Sequence, residues 1–170
     1  IDYFAQVLII ARETGDRASE GTTLNNLGDV YFKLGEIRRA IGYYEQGLAI
    51  VREIGNRIEM GKILRKLGNT YARLNELQQA LGYYKKALAI QREIGNSVGI
   101  ATDVHNVAML YAIQGLYTQA LPLAQEAFRI FSEIGDPKAK EAQELIAILQ
   151  DDDTLPSIES SAKILADYAP

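Results

Sequence analysis

The 170-residue sequence predicts an all-α protein, a solenoid of antiparallel helical hairpins, and three observations carry this prediction. The string REIGN at 52–56 returns unchanged at 92–96, and the related strings RETGD and SEIGD stand at 12–16 and 132–136. Each interval of 40 residues contains two stretches with apolar residues at helical spacing. Turn-forming residues separate these stretches at the same position in every interval. Because one hairpin cannot bury its apolar faces alone, stacked copies are expected to share a continuous core.

The 40-residue period is supported by comparing successive intervals directly. Residues 17–56 and 57–96 are identical at 20 of 40 positions without a gap, and 57–96 and 97–136 at 10. We therefore predict three full repeats with these boundaries. Residues 1–16 match only the second helix of a repeat, and residues 137–150 match only a first helix. The array is thus expected to span 1–150, with a truncated repeat at one end and a capping helix at the other.

Both ends of the chain carry further expectations. The sequence starts with IDYF and lacks an initiator Met, which indicates a fragment of a longer protein. The helix at 1–16 is then expected to expose an apolar face. Three aspartates at 151–153 begin a segment, 151–170, that we predict to be an acidic linker followed by a short helix or tail capped by Ser157.

The helical hairpin is predicted from local signals. In the first full repeat, Leu24 and Leu27 belong to an apolar stripe with three- and four-residue spacing. The second helix, at about 37–53, follows a turn at Gly35. Asn75 and Gly115 occupy the equivalent positions, and both residue types tolerate the left-handed conformation that ends a helix.

The start of each first helix also carries a capping signal. Asn56 is predicted to cap the helix that follows it, and Asp16 and Asp136 occupy the equivalent positions. Glu59, three residues after Asn56, predicts a capping box, in which its carboxylate returns to the backbone N–H of the cap residue.

Small residues indicate where helices approach closely. Gly28, Gly68 and Ala108 are equivalent, and they are small where each first helix is expected to lie against its hairpin partner. Tyr31 and Tyr71 are predicted to fill the space between neighbouring hairpins, as is the equivalent Tyr111. Four further glycines are predicted to serve close packing inside helices, namely Gly21, Gly42, Gly61 and Gly82.

The composition excludes several function classes. The absence of cysteine rules out disulfide and thiol chemistry, and the single histidine, His105, rules out a His-rich metal site. The formal net charge of −4 argues against nucleic acid as the main partner. No apolar run is long enough to span a membrane, and no signal peptide is evident. We expect no enzymatic activity, no cofactor and a cytoplasmic location.

The repeat pattern has the residues of a known family at the family's spacing. In the first two units these residues are Leu24, Leu27, Gly28, Tyr31, Ala40, Tyr44 and Gly47, then Leu64, Leu67, Gly68, Tyr71, Ala80, Tyr84 and Ala87. The weaker third unit has Val104, Val107, Ala108, Tyr111, Ala120, Ala124 and Ala127. The sequence resembles the tetratricopeptide repeat (TPR) family in a 40-residue, long-helix variant similar to kinesin light chains and bacterial scaffold proteins.

This resemblance implies a right-handed α-solenoid and a class of function. In such arrays the first helices line a concave surface that holds peptide segments of partner proteins, so their polar side chains are the candidate site. Lys33 and Thr22 belong to that stripe of the first unit. The peptide-binding residues we predict across the three units are Asn25, Asp29, Lys62, Arg65, Lys66, Asn69, Arg73, His105 and Asn106.

The middle unit suggests the chemistry of the partner. Lys62, Arg65, Lys66 and Arg73 share one helix face, where like charges repel by a few tenths of a kcal/mol per pair. In a chain of net negative charge, this clustering favours a partner that supplies carboxylates or phosphates. The alternative is a solvated basic face neutralised by acidic residues of the chain itself, Asp29 and Glu59 being the candidates. His105 fits an ordinary groove residue better than a proton donor.

Two other functions remain open at this point. The uncovered face of the helix at 1–16 and the tail at 151–170 could serve self-assembly into a homo-oligomer. The array could also be the sensor or docking arm of a larger multidomain enzyme.

Overall fold

The computed structural model describes residues 2–150, which form eight α-helices joined by tight turns. The prediction of an all-α array of antiparallel hairpins is confirmed. The pairs α2–α3, α4–α5 and α6–α7 form hairpins, α1 packs on α2, and α8 packs on α7. The helices are α1 (Asp2–Thr14), α2 (Arg17–Lys33), α3 (Ile37–Glu53), α4 (Arg57–Arg73), α5 (Leu77–Glu93), α6 (Ser97–Ile113), α7 (Tyr117–Glu133) and α8 (Ala139–Gln150).

The capping residues work largely as predicted, with one correction. Asn56 Oδ1 accepts from the backbone N–H of Glu59 at 3.1 Å, and Asp16 caps α2 in the same way. The capping box is not formed, because the backbone N–H of Asn56 already donates to the Val51 carbonyl at 2.9 Å. The Glu59 carboxylate accepts instead from Lys62 Nζ at 2.6 Å.

The hairpin turns adopt the predicted left-handed conformation. Gly35 and Gly115 have φ of 76° and 73°, and Asn75 has φ of 60° at the equivalent place. Each backbone N–H that follows returns to a carbonyl of the preceding helix, as Glu36 does to Tyr31 at 2.9 Å. These bonds satisfy carbonyl groups that the end of the helix would otherwise leave unpaired.

Close approach within the hairpins explains the small residues of the first helices. A Cβ on Gly28 would lie 2.4 Å from the Tyr44 ring, and one on Gly68 would lie 2.6 Å from the Tyr84 ring. In the third hairpin both members of the pair change together, to Ala108 and Ala124. Ring and glycine are therefore complementary partners.

The structure adds detail to one packing prediction and corrects another. Tyr31 and Tyr71 find their ring partners within their own hairpins, stacking on Tyr43 and Tyr83 at 5.1 and 5.2 Å between centroids, because α2 and α4 each pack most closely on the helix that follows. Tyr111 contacts the preceding hairpin, where Lys85 lies over its ring. Gly21 and Gly61 serve close packing, but Gly42 and Gly82 do not, since a Cβ there would meet nothing within 4 Å.

The outer face of α1 exposes apolar side chains, as expected. Tyr3, Ile9 and Ile10 are 71%, 56% and 58% exposed, whereas Ala11 is buried against the array. The predicted linker and tail at 151–170, with the Ser157 cap, lie outside the described residues.

Candidate functional site

The candidate site is the surface formed by the first helices α2, α4 and α6, which we call the groove face. Side chains of these helices bond directly to one another, α2 with α4 and α4 with α6. Between α2 and α4 the groove face contains a cleft of about 270 Å³. The cleft is lined by Asp29, Phe32, Lys33, Tyr44, Lys66, Asn69 and Thr70.

Lys66 is held by two residues of α2 that the sequence analysis placed in the same site. Its Nζ donates to Asn25 Oδ1 at 2.9 Å and to Asp29 Oδ2 at 2.7 Å. Tyr44 donates its hydroxyl to the other oxygen of Asp29 at 2.7 Å, and burial together with this carboxylate raises the pKa of Tyr44. The carboxylate thus joins the second helix of one hairpin to the first helix of the next.

Arg65 forms an ion pair with Asp103 of α6, a residue that the sequence analysis did not select. Its Nη2 lies 3.3 Å from Asp103 Oδ2, and its Nε donates to the other oxygen of the same carboxylate. The Asp103 side chain is fully buried, and the loss of solvation raises its pKa although Arg65 acts in the opposite direction. The sequence contained a signal for this residue. Asp103 is an acid at the position that Thr23 and Ile63, both uncharged, occupy in the preceding repeats.

The remaining residues of the middle unit have partners of different kinds. Lys62 pairs with Glu59 in an exposed bridge. Asn69 accepts the Tyr84 hydroxyl at 2.7 Å, and the Arg73 guanidinium lies 4.9 Å from the Phe32 ring centroid. Three of the four cations of the predicted basic stripe thus have carboxylates of the same chain beside them, which offsets the repulsion on which the inference of an acidic partner depended.

His105 and Asn106 do not line the 270 Å³ cleft. The His105 ring contacts Phe131 edge-on at 6.4 Å between centroids, and Asn106 is buried. His105 Nδ1 is buried without a hydrogen-bond partner. Burial, with a smaller effect from Lys138, lowers the pKa of His105 to about 4.

The lowered pKa predicts that the chain loses stability as the pH falls from about 6.5 to 4. The unfolded state binds a proton in this window and the folded state does not, so each pH unit removes about 1.4 kcal/mol from the free energy of unfolding. When the pH falls from 6.5 to 5, the free energy of unfolding of His105→Leu should therefore decrease by about 2 kcal/mol less than that of the parent chain. Urea unfolding at both pH values measures the difference, and equal losses in the two chains would contradict it.

Two kinds of feature, a metal site and a membrane-spanning helix, are absent from the part of the chain that the structure describes. Among residues 2–150 there is no group of three or more histidine and acidic side chains that could hold a metal ion. Within the same range, no helix combines the length and apolar character needed to cross a membrane.

Comparison with solved structures shows what this fold is similar to. BtubC from P. vanneervenii superposes with a TM-score of 0.73 at 18% identity, over 90% of this chain and 63% of that one. A second similar structure is a signal transduction ATPase with numerous domains (STAND) and a tetratricopeptide repeat sensor, from Pyrococcus horikoshii. Its TM-score is 0.82 at 18% sequence identity, and the match covers 98% of this chain and 26% of that one. Kinesin light chain-type repeats from Podospora anserina have a TM-score of 0.73 at 18% sequence identity. This match covers 98% of this chain and 82% of that one. The chain therefore spans less than two thirds of the first two structures.

Sequence comparison gives the family. No match to the chain was found among curated proteins. The model of the tetratricopeptide repeat matches residues 1–53 and 59–133, which is most of the chain. Members of this family are in general protein–protein interaction modules. With its hairpins, turn glycines and ring–glycine pairs at the family's spacing, the chain belongs to the tetratricopeptide repeat family.

Proposed function

We propose that this chain binds an extended, acidic segment of a partner protein along the groove face. The observation that carries the proposal is the pair Lys33 and Arg73 beside the cleft between α2 and α4. Both are exposed, and neither forms an ion pair with any of residues 2–150. The Phe32 ring beneath Arg73 adds an apolar contact surface to the same place.

The distribution of charge also supports an acidic ligand. Helices α2, α4 and α6 together contain seven Lys and Arg but four Asp and Glu. The whole chain has 18 Lys and Arg and 22 Asp and Glu, so the remainder of the chain has 11 basic and 18 acidic residues. A partner with carboxylates is thus attracted more strongly to the first helices than to the second helices, although Arg17 and Arg57 pair with Glu53 and Glu93 of the second helices.

Individual groups of the cleft suit an extended peptide. The guanidinium of Arg73 can bind a carboxylate through two parallel hydrogen bonds. The side-chain amide of Asn69 can donate to a backbone carbonyl of the peptide. Every peptide has such carbonyls, whatever its side chains are. Lys66 and Arg65 contribute by holding α2, α4 and α6 in register through Asp29 and Asp103. We expect a micromolar affinity, since the contacts are few and shallow.

Charge reversal at the two free cations tests the proposal. Peptides selected by the chain from a random display library should be enriched in Asp and Glu. Their affinity for the Lys33→Glu/Arg73→Glu variant should fall at least tenfold, which corresponds to about 1.4 kcal/mol. The matched control is Lys86→Glu/Lys140→Glu, which changes the net charge equally outside the groove face and should bind within twofold of the parent chain. Equal weakening in both variants, or selection of neutral peptides, would overturn the groove assignment.

Self-assembly is a second candidate, favoured by the exposed Tyr3, Ile9 and Ile10 of α1. An apolar patch of this kind commonly marks an interaction surface. If it pairs two copies, the mass in light scattering should rise with concentration, and Ile10→Lys should return the chain to a monomer. A monomeric mass at every concentration would remove this candidate.

A sensor or docking arm of a larger enzyme is a third candidate. It is suggested by the similarity to the STAND protein, whose repeats are described as its sensor. Similarity at this identity concerns the fold alone, so this candidate requires an enzymatic domain in the same protein.

A further inference from the structure

A second cleft lies between α5, α6 and α7. It has a volume of about 360 Å³, within the range of small-molecule sites. We call it the α5–α7 cleft. It is lined by Lys85, Leu88, Ala89, Arg92, Val104, Val107, Tyr111 and Leu123.

The preceding repeats show why this cleft is open. Tyr31 and Tyr71 are each covered by a stacked tyrosine from the following helix, at 5.1 and 5.2 Å between centroids. The position of Tyr43 and Tyr83 is occupied in the third full repeat by Leu123. The ring of Tyr111 therefore borders a space that an aromatic ring fills in the other two hairpins.

The same comparison shows a reversal of charge at the rim. The residue of the preceding hairpin that faces this space is Glu45 beside Tyr71, where its charge contributes to raising the pKa of that tyrosine. The equivalent residue beside Tyr111 is Lys85, whose Nζ lies 5.8 Å from the ring centroid. Lys85 forms no ion pair within residues 2–150. Arg92, the other cation of the rim, is 3.4 Å from Glu126 in an exposed pair.

We propose that the α5–α7 cleft binds a small aromatic carboxylate. The ligand ring stacks on Tyr111 over the apolar floor of Val107 and Leu123, in place of the tyrosine that the other hairpins supply. Its carboxylate pairs with Lys85, and Arg92 can join by exchanging its exposed contact with Glu126. An apolar floor combined with a cationic rim selects ligands that contain both groups. The proposal does not depend on peptide binding at the groove face.

A titration followed by ¹H–¹⁵N NMR tests the site with 3-(4-hydroxyphenyl)propionate as the probe. We expect shift changes confined to α5, α6 and α7 around Tyr111. The matching uncharged amide should bind at least tenfold more weakly, because it cannot pair with Lys85. Butyrate, which has the carboxylate but no ring, should also bind at least tenfold more weakly.

Two variants restore features of the other repeats and should remove binding. Leu123→Tyr supplies the missing ring, and Lys85→Glu restores the acid of the first full repeat. Lys85 is exposed, so its replacement keeps the test valid even if Leu123→Tyr folds poorly. The control Lys86→Glu should bind within twofold, because that ammonium lies over Tyr83 and not over Tyr111.

The groove variant Lys33→Glu/Arg73→Glu separates this proposal from the proposed function. It should bind the probe as the parent chain does. Equal binding of the acid and the amide, unchanged binding in Lys85→Glu, or shift changes centred on the groove face would each overturn the proposal.

Discussion

The Asp103→Ala variant is expected to lose about 3 kcal/mol of unfolding free energy. The Asp103 side chain is fully buried and meets Arg65, which is only 22% exposed. Removal of the acid leaves a largely desolvated guanidinium without its partner, and this penalty exceeds the value of the lost bond itself. Urea unfolding at pH 7 measures the change.

Replacing the whole ion pair should cost far less than breaking it. Arg65→Met combined with Asp103→Ile places apolar residues at both positions, and Ile63 already stands at the equivalent of Asp103. We expect the double variant to recover most of the loss, because a buried ion pair is offset by its own desolvation. Glu133→Ala, which breaks the exposed pair with Arg129, is the control and should cost less than about 0.5 kcal/mol. A large loss in the double variant would show that the charges themselves stabilise the stack.

The effect of Gly68→Ala on the free energy of unfolding is expected to change sign when the Tyr84 ring is removed. In the parent chain the new Cβ would lie 2.6 Å from the Tyr84 ring, so overpacking should cost about 1–3 kcal/mol although alanine favours a helix. In a Tyr84→Ala background the clash is absent, and the same substitution should stabilise by about 1 kcal/mol. Thermal and urea unfolding of the four chains give this coupling directly.

Gly82→Ala provides the matched control for this cycle. Gly82 lies in the adjacent helix α5, and a Cβ there would meet nothing within 4 Å. The substitution should therefore stabilise the parent chain by about 1 kcal/mol. Stabilisation by Gly68→Ala in the parent chain would show that the hairpin does not need a glycine beside Tyr84.

Local signals account for the parts of the fold that the sequence predicted well. Asn56 and Asp16 cap helices, and Gly35 and Asn75 end hairpin helices, because each acts on backbone groups within a few residues of itself. The prediction of a capping box at Glu59 was wrong, and the reason is again a contact within a few residues. The N–H it needed was already bonded to the preceding helix.

Contacts between hairpins account for what the sequence could not predict. Asp103, the partner of Arg65, lies 38 residues away, and its identity depends on where side chains of neighbouring helices meet. Asp29, 37 residues from Lys66, was named from the sequence only as a candidate to neutralise the basic face, and it does pair with Lys66. Two of the four cations of the basic stripe, Arg65 and Lys66, are thus balanced by acids of neighbouring helices, and Lys62 is balanced by Glu59 of its own helix. The stacking of Tyr31 on Tyr43 likewise depends on how the two helices of a hairpin are rotated about their axes.

The structure brings together part of the residue set that the sequence predicted for the site. Asn25, Asp29, Lys66 and Asn69 meet at or beside one cleft, as carried over from the family resemblance. His105 and Asn106 do not line it. The proposed site depends on Lys33 and Arg73, because these are the cations of this cleft and its border that lack an acidic partner within residues 2–150.

Mapping of the bound peptide by ¹H–¹⁵N NMR tests the central claim, peptide binding at the groove face, most directly. An acidic peptide selected by the chain is titrated while the backbone amides are followed. Binding at the groove face predicts shift changes concentrated in α2 and α4 around Phe32, Lys33 and Arg73, and their loss in Lys33→Glu/Arg73→Glu. Shift changes on the outer face of α1 or on α3, α5 and α7, with the groove face unperturbed, would contradict it.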